Sequence, residues 1–177
     1  MRPVGPLLVL ALLAAGCAAP APAPEEEARQ RCYGGDEGCP FRAADAACAT
    51  LAVEAAPQGD ALLVTARLRN VCDERLWVQG NNLAAIEKSG MSSAVHVEGR
   101  RYHLMDGAAW ENPIVLPMLP PGDVLEPGAE LVASWSWNGT LAEGGGRYTP
   151  APRGPHAVSA WLVRASDVRA EATAEWP

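Results

Sequence analysis

The sequence predicts an all-β domain, a two-sheet antiparallel sandwich of about seven to eight short strands. Three observations predict it. Apolar and polar residues alternate with a period of two over many short segments, which is typical of half-buried strands. Proline and glycine turns separate those segments, and no segment has the apolar spacing of a convincing amphipathic helix.

The strands follow one another along residues 48–177. The first pair is a hairpin, with the five residues 56–60 (APQGD) as its turn. In residues 131–137 the alternation places Trp135 and Trp137 on one apolar face. The predicted strands are 48–55, 61–70, 75–79, 94–98, 101–105, 131–137, 156–164 and 168–176.

Residues 94–105 form a second predicted hairpin, with Gly99-Arg100 as its two central turn residues. That register places His96 opposite His103, with Met105 nearby on the same polar face. Two opposed imidazoles and a thioether are suited to copper, so these three residues are candidate metal ligands. The other interpretation is an ordinary polar outer face.

The N-terminal residues 1–16 have one charge, Arg2, and a short apolar stretch, which is typical of an export signal. Residues 13–17 (LAAGC) resemble the lipobox of bacterial lipoproteins. This resemblance implies cleavage before Cys17, acylation of Cys17 and attachment to a lipid bilayer. The residue after it, Ala18, implies the outer membrane, facing the periplasm. The alternative is an ordinary signal peptide that leaves Cys17 free to pair.

Residues 17–31 are predicted to be an extended linker, because the alternating Ala-Pro of 18–24 does not sustain a helix. The 14 residues 18–31 would hold the domain about 40 Å from the bilayer. A cysteine-containing loop, 32–47, connects this linker to the sandwich domain, 48–177.

Four cysteines remain if Cys17 is an anchor, and an oxidising compartment would pair them. The first hairpin brings Cys48 close to Cys72, which leaves Cys32 to pair with Cys39 across a small loop. Zinc is the competing interpretation, but the sequence has no C-x2-C spacing.

Residues 106–122 (DGAAWENPIVLPMLPPG) are predicted to be a long connection without regular structure, because they contain four prolines. The segment either caps the core or presents an apolar surface to a partner. Its candidate binding residues are Trp110, Ile114, Leu116 and Met118.

Residues 125–131 (LEPGAEL) and 134–139 (SWSWNG) resemble the turn and strand end of the BsuPI-type intracellular proteinase inhibitor domain. This resemblance implies an immunoglobulin-like sandwich. It also implies, as one alternative function, proteinase inhibition through an exposed loop.

The net charge of −7 argues against nucleic acid as a partner. No nucleophile elbow or phosphate-binding loop occurs in the sequence, so we expect neither catalysis nor a cofactor. The function predicted is a membrane-anchored envelope lipoprotein, a non-catalytic binding or accessory module whose partner is another envelope protein. A proteinase inhibitor and a periplasmic copper-binding protein are the alternatives.

Overall fold

A computed structural model of the chain describes residues 24–33, 38–80, 87–113 and 122–177. These residues form one helix, α1 (Pro24–Tyr33), and thirteen strands. The strands are β1 (Arg42–Ala43), β2 (Ala49–Gln58), β3 (Ala61–Asn70), β4 (Leu76–Gln79), β5 (Glu87–Lys88), β6 (Met91–Val97), β7 (Arg100–Leu104), β8 (Gly107–Trp110), β9 (Gly122–Leu125), β10 (Glu130–Glu143), β11 (Arg147–Pro150), β12 (Gly154–Leu162) and β13 (Arg169–Trp176).

The strands form two sheets, and the predicted all-β sandwich is confirmed. The larger sheet has the order β13-β12-β6-β7-β8-β10-β3-β2, with β11 beside β10 and β5 beside β6. Its first and last strands, β13 and β2, pack against each other, so the sheet curls almost into a barrel. The smaller sheet has the order β1-β4-β9. The described residues hold more strands than the seven or eight expected, because several short strands lie within segments that read as loops.

Most pairs are antiparallel, as predicted, but two are parallel: β1 with β4, and β8 with β10. The second of these corrects the prediction for 106–122, since residues 107–110 form a strand rather than an unstructured connection. Residues 107–110 have a weak strand pattern of their own, because they are mostly glycine and alanine. They form a strand because they pair with β10, which is distant in sequence.

The hairpin of β2 and β3 confirms the pairing of the first two predicted strands. Its turn is shorter than predicted, because Gln58 lies opposite Ala61 and only Gly59 and Asp60 lie between them. Ala49 lies opposite Asn70, so the cysteine before β2 meets the one after β3. The disulfides Cys48–Cys72 and Cys32–Cys39 are both present, as predicted.

The core lies inside the curled sheet and is lined by alternate residues of each long strand. Trp135 and Trp137 of β10 are both fully buried, which confirms the inward face predicted for them. The indole N–H of Trp137 donates to the carbonyl of Thr140, and its ring packs 5.1 Å from that of Trp176. The largest side chains of the core therefore come from the longest strand.

Asn70, fully buried at the end of β3, connects the two sheets. Its amide nitrogen donates to the carbonyls of Glu74 and Leu125, and its side-chain oxygen accepts from the backbone N–H of Cys72. Because a buried amide is stable only when hydrogen-bonded, these three bonds favour one arrangement of β3, β4 and β9.

The linker prediction was wrong from residue 24 onward, because Pro24–Tyr33 is a helix. Proline is tolerated in a first helical turn, three glutamates follow it, and Arg31 lies in the last turn. Glu25 pairs with Arg75, and the rings of Tyr33 and Trp77 pack at 5.4 Å, so α1 lies against the small sheet. No helix among the described residues is long and apolar enough to cross a membrane.

The register predicted for β6 and β7 was also wrong. His96 lies opposite Arg101, and His103 lies opposite Ala94, so the two central turn residues are Glu98 and Gly99. Both have positive φ, 50° and 77°, as a type I′ turn requires. The predicted pairing differs by two places, which preserves the faces but separates the histidines.

Candidate functional site

A cleft of about 270 Å³ lies on the outer surface of the large sheet, across β7, β6, β12 and β13. Side chains alternate between the two faces of a strand, so the residues between the buried ones line this outer surface. The lining residues are His96, Arg101, Ser159, Ala160, Trp161, Ser166, Arg169 and Glu171.

Several small residues on this outer face are covered by larger neighbours. Ser92, Ala94 and Ser159 project from the outer face but are 2%, 0% and 8% exposed, because larger neighbours cover them. Small side chains between large ones leave a depression in the outer surface of the sheet. The ring nitrogen Nε2 of His96 lies 2.9 Å from the hydroxyl of Ser159, and this hydrogen bond holds the imidazole over the sheet.

Trp161 is the central aromatic residue of the cleft. The guanidinium carbon of Arg101 lies 5.6 Å from its ring centroid, within the range of a cation–π contact. His103 meets the same ring edge-on, with centroids 5.5 Å apart. Arg169 of β13 lies directly opposite Trp161 in the sheet register. Arg101 therefore contacts the indole ring, and Arg169 lines the same cleft from the neighbouring strand.

His103 is a neutral member of this face. Burial, together with the Arg101 guanidinium and the His96 ring, holds the pKa of His103 below its usual value. Its Nδ1 atom is buried and has no hydrogen-bond partner within the part of the chain that the structure describes. The positive charge of the face consequently comes from the arginines and not from this histidine.

Positive charges outnumber negative ones among the described residues of the cleft. Arg101 and Arg169 form no ion pair with any carboxylate of the described residues, whereas Arg100 on the opposite face of β7 pairs with Glu143. Of the described residues, Glu171 is the one carboxylate that lines the cleft, and it lies opposite Ser159 in the register. With two arginines and one glutamate in its described lining, the cleft is cationic in a chain whose net charge is −7.

The candidate metal ligands do not have the predicted arrangement. His96 and His103 share the outer face but are not opposite each other, and Arg101 lies beside both. Met105 follows the end of β7, and its backbone N–H donates to the carbonyl of Ala108. Among the described residues, no three His, Cys, Asp or Glu side chains are grouped so that they could hold a metal ion.

His96 and Ser159 are as close as the base and the nucleophile of a catalytic pair. The other features of a catalytic site do not accompany them among the described residues. Ser159 is only 8% exposed, so a substrate has little access to its hydroxyl. No carboxylate of the described residues accepts a hydrogen bond from His96, so nothing there would orient the ring as a base. The geometry fits a structural hydrogen bond.

Of the four predicted binding residues, the structure describes only Trp110. Trp110 of β8 lies opposite His103, on the same outer face as the cleft, and its ring packs 5.8 Å from that of Tyr148. Tyr148 is 59% exposed, so this end of the face presents aromatic surface. Ile114, Leu116, Met118 and the predicted anchor Cys17 lie outside the described residues.

Sequence reasoning missed Ser159, Trp161, Arg169 and Glu171. The available signal was the alternation in 156–164 and 168–176, which places these four side chains on outward positions. That alternation does not reveal that β12 pairs with β6, a pairing between strands some 60 residues apart. Only this pairing brings Trp161 to the histidines and to Arg101.

Comparison with known proteins finds no family model that matches the chain and no similar curated protein. Among solved structures, the chain is similar to a β-glucosidase from Listeria innocua in complex with glucose, with 10% identity and a TM-score of 0.40. It is also similar to DesR, a β-glucosidase from Streptomyces venezuelae, with 10% identity and a TM-score of 0.41. A GH3 β-glucosidase from Bifidobacterium adolescentis has 14% identity and a TM-score of 0.37.

These likenesses cover 71–72% of this chain but only 14–17% of the glucosidase chains. At such low identity and TM-score they carry no argument about activity or substrate.

Proposed function

We propose that this chain is an envelope lipoprotein, anchored in a lipid bilayer by acylated Cys17, whose sandwich domain is a non-catalytic binding or accessory module. The membrane is the outer membrane, with the domain facing the periplasm, and the partner is another envelope protein. The resemblance of residues 13–17 to a lipobox and the identity of Ala18 support the anchor and its location.

The observation that carries the proposal is the pair of disulfides, Cys32–Cys39 and Cys48–Cys72. Structural disulfides persist in exported proteins and are rare in reducing compartments. All the cysteines after Cys17 are used by these two bridges, so Cys17 is the one cysteine left for another chemistry.

The helix α1 changes the geometry of the proposed anchor. Six residues lie between Cys17 and Pro24, so a fully extended chain from one to the other makes seven steps and spans about 25 Å. Because α1 is held to the small sheet by the Glu25–Arg75 ion pair and the Tyr33–Trp77 contact, the tether would end at the domain surface. The domain would therefore lie closer to the bilayer than the 40 Å expected from an extended linker.

The outer face is better suited to binding than to catalysis. The cleft combines two arginines and an aromatic ring, which are groups suited to recognition. Its hydroxyl–imidazole pair is covered and lacks an orienting carboxylate within the described residues.

The Cys17→Ser variant tests the anchor. Expressed in a bacterium with two membranes, the unaltered chain should sediment with the outer membrane and require detergent for release. Cys17→Ser removes the sulfur that would be acylated, so the variant should be found in the soluble fraction. The matched control, Ala19→Ser, makes a similarly small change without affecting the acylated residue and should stay with the membrane. A Cys17→Ser chain that still requires detergent would refute the anchor.

A further inference from the structure

We propose that the outer cleft is a binding site for a small organic carboxylate, with Arg101 and Arg169 holding the carboxylate and Trp161 packing against the body of the ligand. This inference names a ligand class for the binding role proposed above. It does not depend on the anchor, because every group involved lies in β6, β7, β12, β13 and the β12–β13 turn.

Both arginines line the same cleft. The guanidinium carbon of Arg101 lies 5.6 Å from the ring centroid of Trp161, and Arg169 is opposite Trp161 in the register of β12 and β13. Neither has a carboxylate partner among the described residues, so both can donate to a ligand. Guanidinium groups present forked N–H donors that match the two oxygens of a carboxylate, and such bonds are about twice as strong as neutral ones.

Glu171 favours a ligand with a single negative charge. It lines the cleft opposite Ser159, so an anion bound between the arginines also experiences its repulsion. Two positive charges and one negative charge are balanced by a monoanion and not by a dianion such as phosphate near pH 7. The hydroxyl of Ser166, also in the cleft lining, is available as a neutral donor.

The size and walls of the cleft indicate the rest of the ligand. A volume of about 270 Å³ lies at the lower end of small-molecule sites, so the ligand is small. Trp161 offers an apolar, flat surface within the cleft, against which a ring or planar group can pack. The small residues Ser159 and Ala160 in the lining leave room for such a group close to the sheet.

Benzoate is a suitable probe, because it combines one carboxylate with one flat ring. We expect the purified full chain, in a non-ionic detergent, to bind benzoate saturably with a dissociation constant in the millimolar range by calorimetry. Benzamide has the same shape without the charge, and inorganic phosphate has charge without the ring. Both should bind at least tenfold more weakly than benzoate.

Variants of the cleft locate the site. Arg101→Gln and Arg169→Gln should each weaken benzoate binding about tenfold or more, since each removes a charge-assisted donor. Glu171→Gln should strengthen it, because the change removes a like charge. Arg69, an exposed arginine on β3, does not line the cleft, so Arg69→Gln is the matched control and should leave the affinity unchanged. Benzoate should also shift the NMR signal of the Trp161 indole, assigned with Trp161→Phe.

Several results would overturn the proposal: no saturable binding, equal binding of benzamide, tighter binding of phosphate, or benzoate binding unaltered in both arginine variants that remain folded. These measurements use protein that is purified whatever its anchor, so their failure would leave the result of the Cys17→Ser fractionation standing. A soluble Cys17→Ser chain would likewise not affect the result for the cleft.

Discussion

Trp137→Ala is expected to lower the free energy of unfolding by about 3–5 kcal/mol, the range observed when a large buried aromatic side chain is truncated. Trp137 is 0% exposed and lies in the middle of the longest strand. Its ring packs 5.1 Å from Trp176 and 6.0 Å from His156, so the substitution removes contacts to β13 and β12 together. The lost indole N–H also leaves the carbonyl of Thr140 without this partner.

The measurement is denaturant unfolding of Trp137→Ala and of a control on the same strand. Val132 is 47% exposed, so Val132→Ala should change the free energy of unfolding by about 0.5 kcal/mol or less. A Trp137→Ala variant no less stable than Val132→Ala would show that the inward face of β10 is wrongly assigned.

Removal of the Cys48–Cys72 disulfide, by Cys48→Ala with Cys72→Ala, is expected to cost about 3 kcal/mol by the chain-entropy model. The bridge joins residues 24 apart and closes the end of the β2–β3 hairpin. Without it the unfolded chain has more conformations, while the native contacts around Asn70 lose a constraint on Cys72.

The matched control is the other bridge. Cys32 and Cys39 are only seven residues apart, so Cys32→Ala with Cys39→Ala removes a smaller loop and should destabilise the domain less. Peptide mapping without reduction checks the pairing itself. A peptide that joins Cys32 to Cys72 would contradict both the hairpin and the stability argument.

The sequence allowed prediction of those parts of the fold where the local pattern and the packing agree. Trp135 and Trp137 alternate with polar residues, and burial requires them to point inward. The Cys48–Cys72 bridge follows from one short hairpin, whose two strands are adjacent in sequence. In both cases the local pattern leaves few other strand orientations or cysteine pairings to exclude.

The parts that were predicted wrongly or not at all depend on information that local patterns lack. A shift of two residues between β6 and β7 keeps every side chain on its face, so burial could not distinguish the two registers. The distinguishing feature was the turn, where Glu98 adopts a positive φ before Gly99. The helix Pro24–Tyr33 was missed because Ala-Pro repeats dominate the segment before it, although its charges favour a helix.

The candidate cleft could not be predicted because its residues come from strands that meet only in the folded sheet. Trp161 and Arg101 are 60 residues apart, and their contact depends on β12 pairing with β6 and β6 with β7. Arginines and a tryptophan on outward positions are common in exposed strands, so the residue types alone did not indicate a site.

The most direct test of the central claim, a lipid-anchored envelope protein, is the mass of the N-terminal peptide of the chain purified from membranes. We predict that this peptide begins at Cys17 and carries acyl chains on the cysteine sulfur and amine. A peptide that contains an unmodified Cys17, or a mature chain that begins elsewhere, would contradict the account.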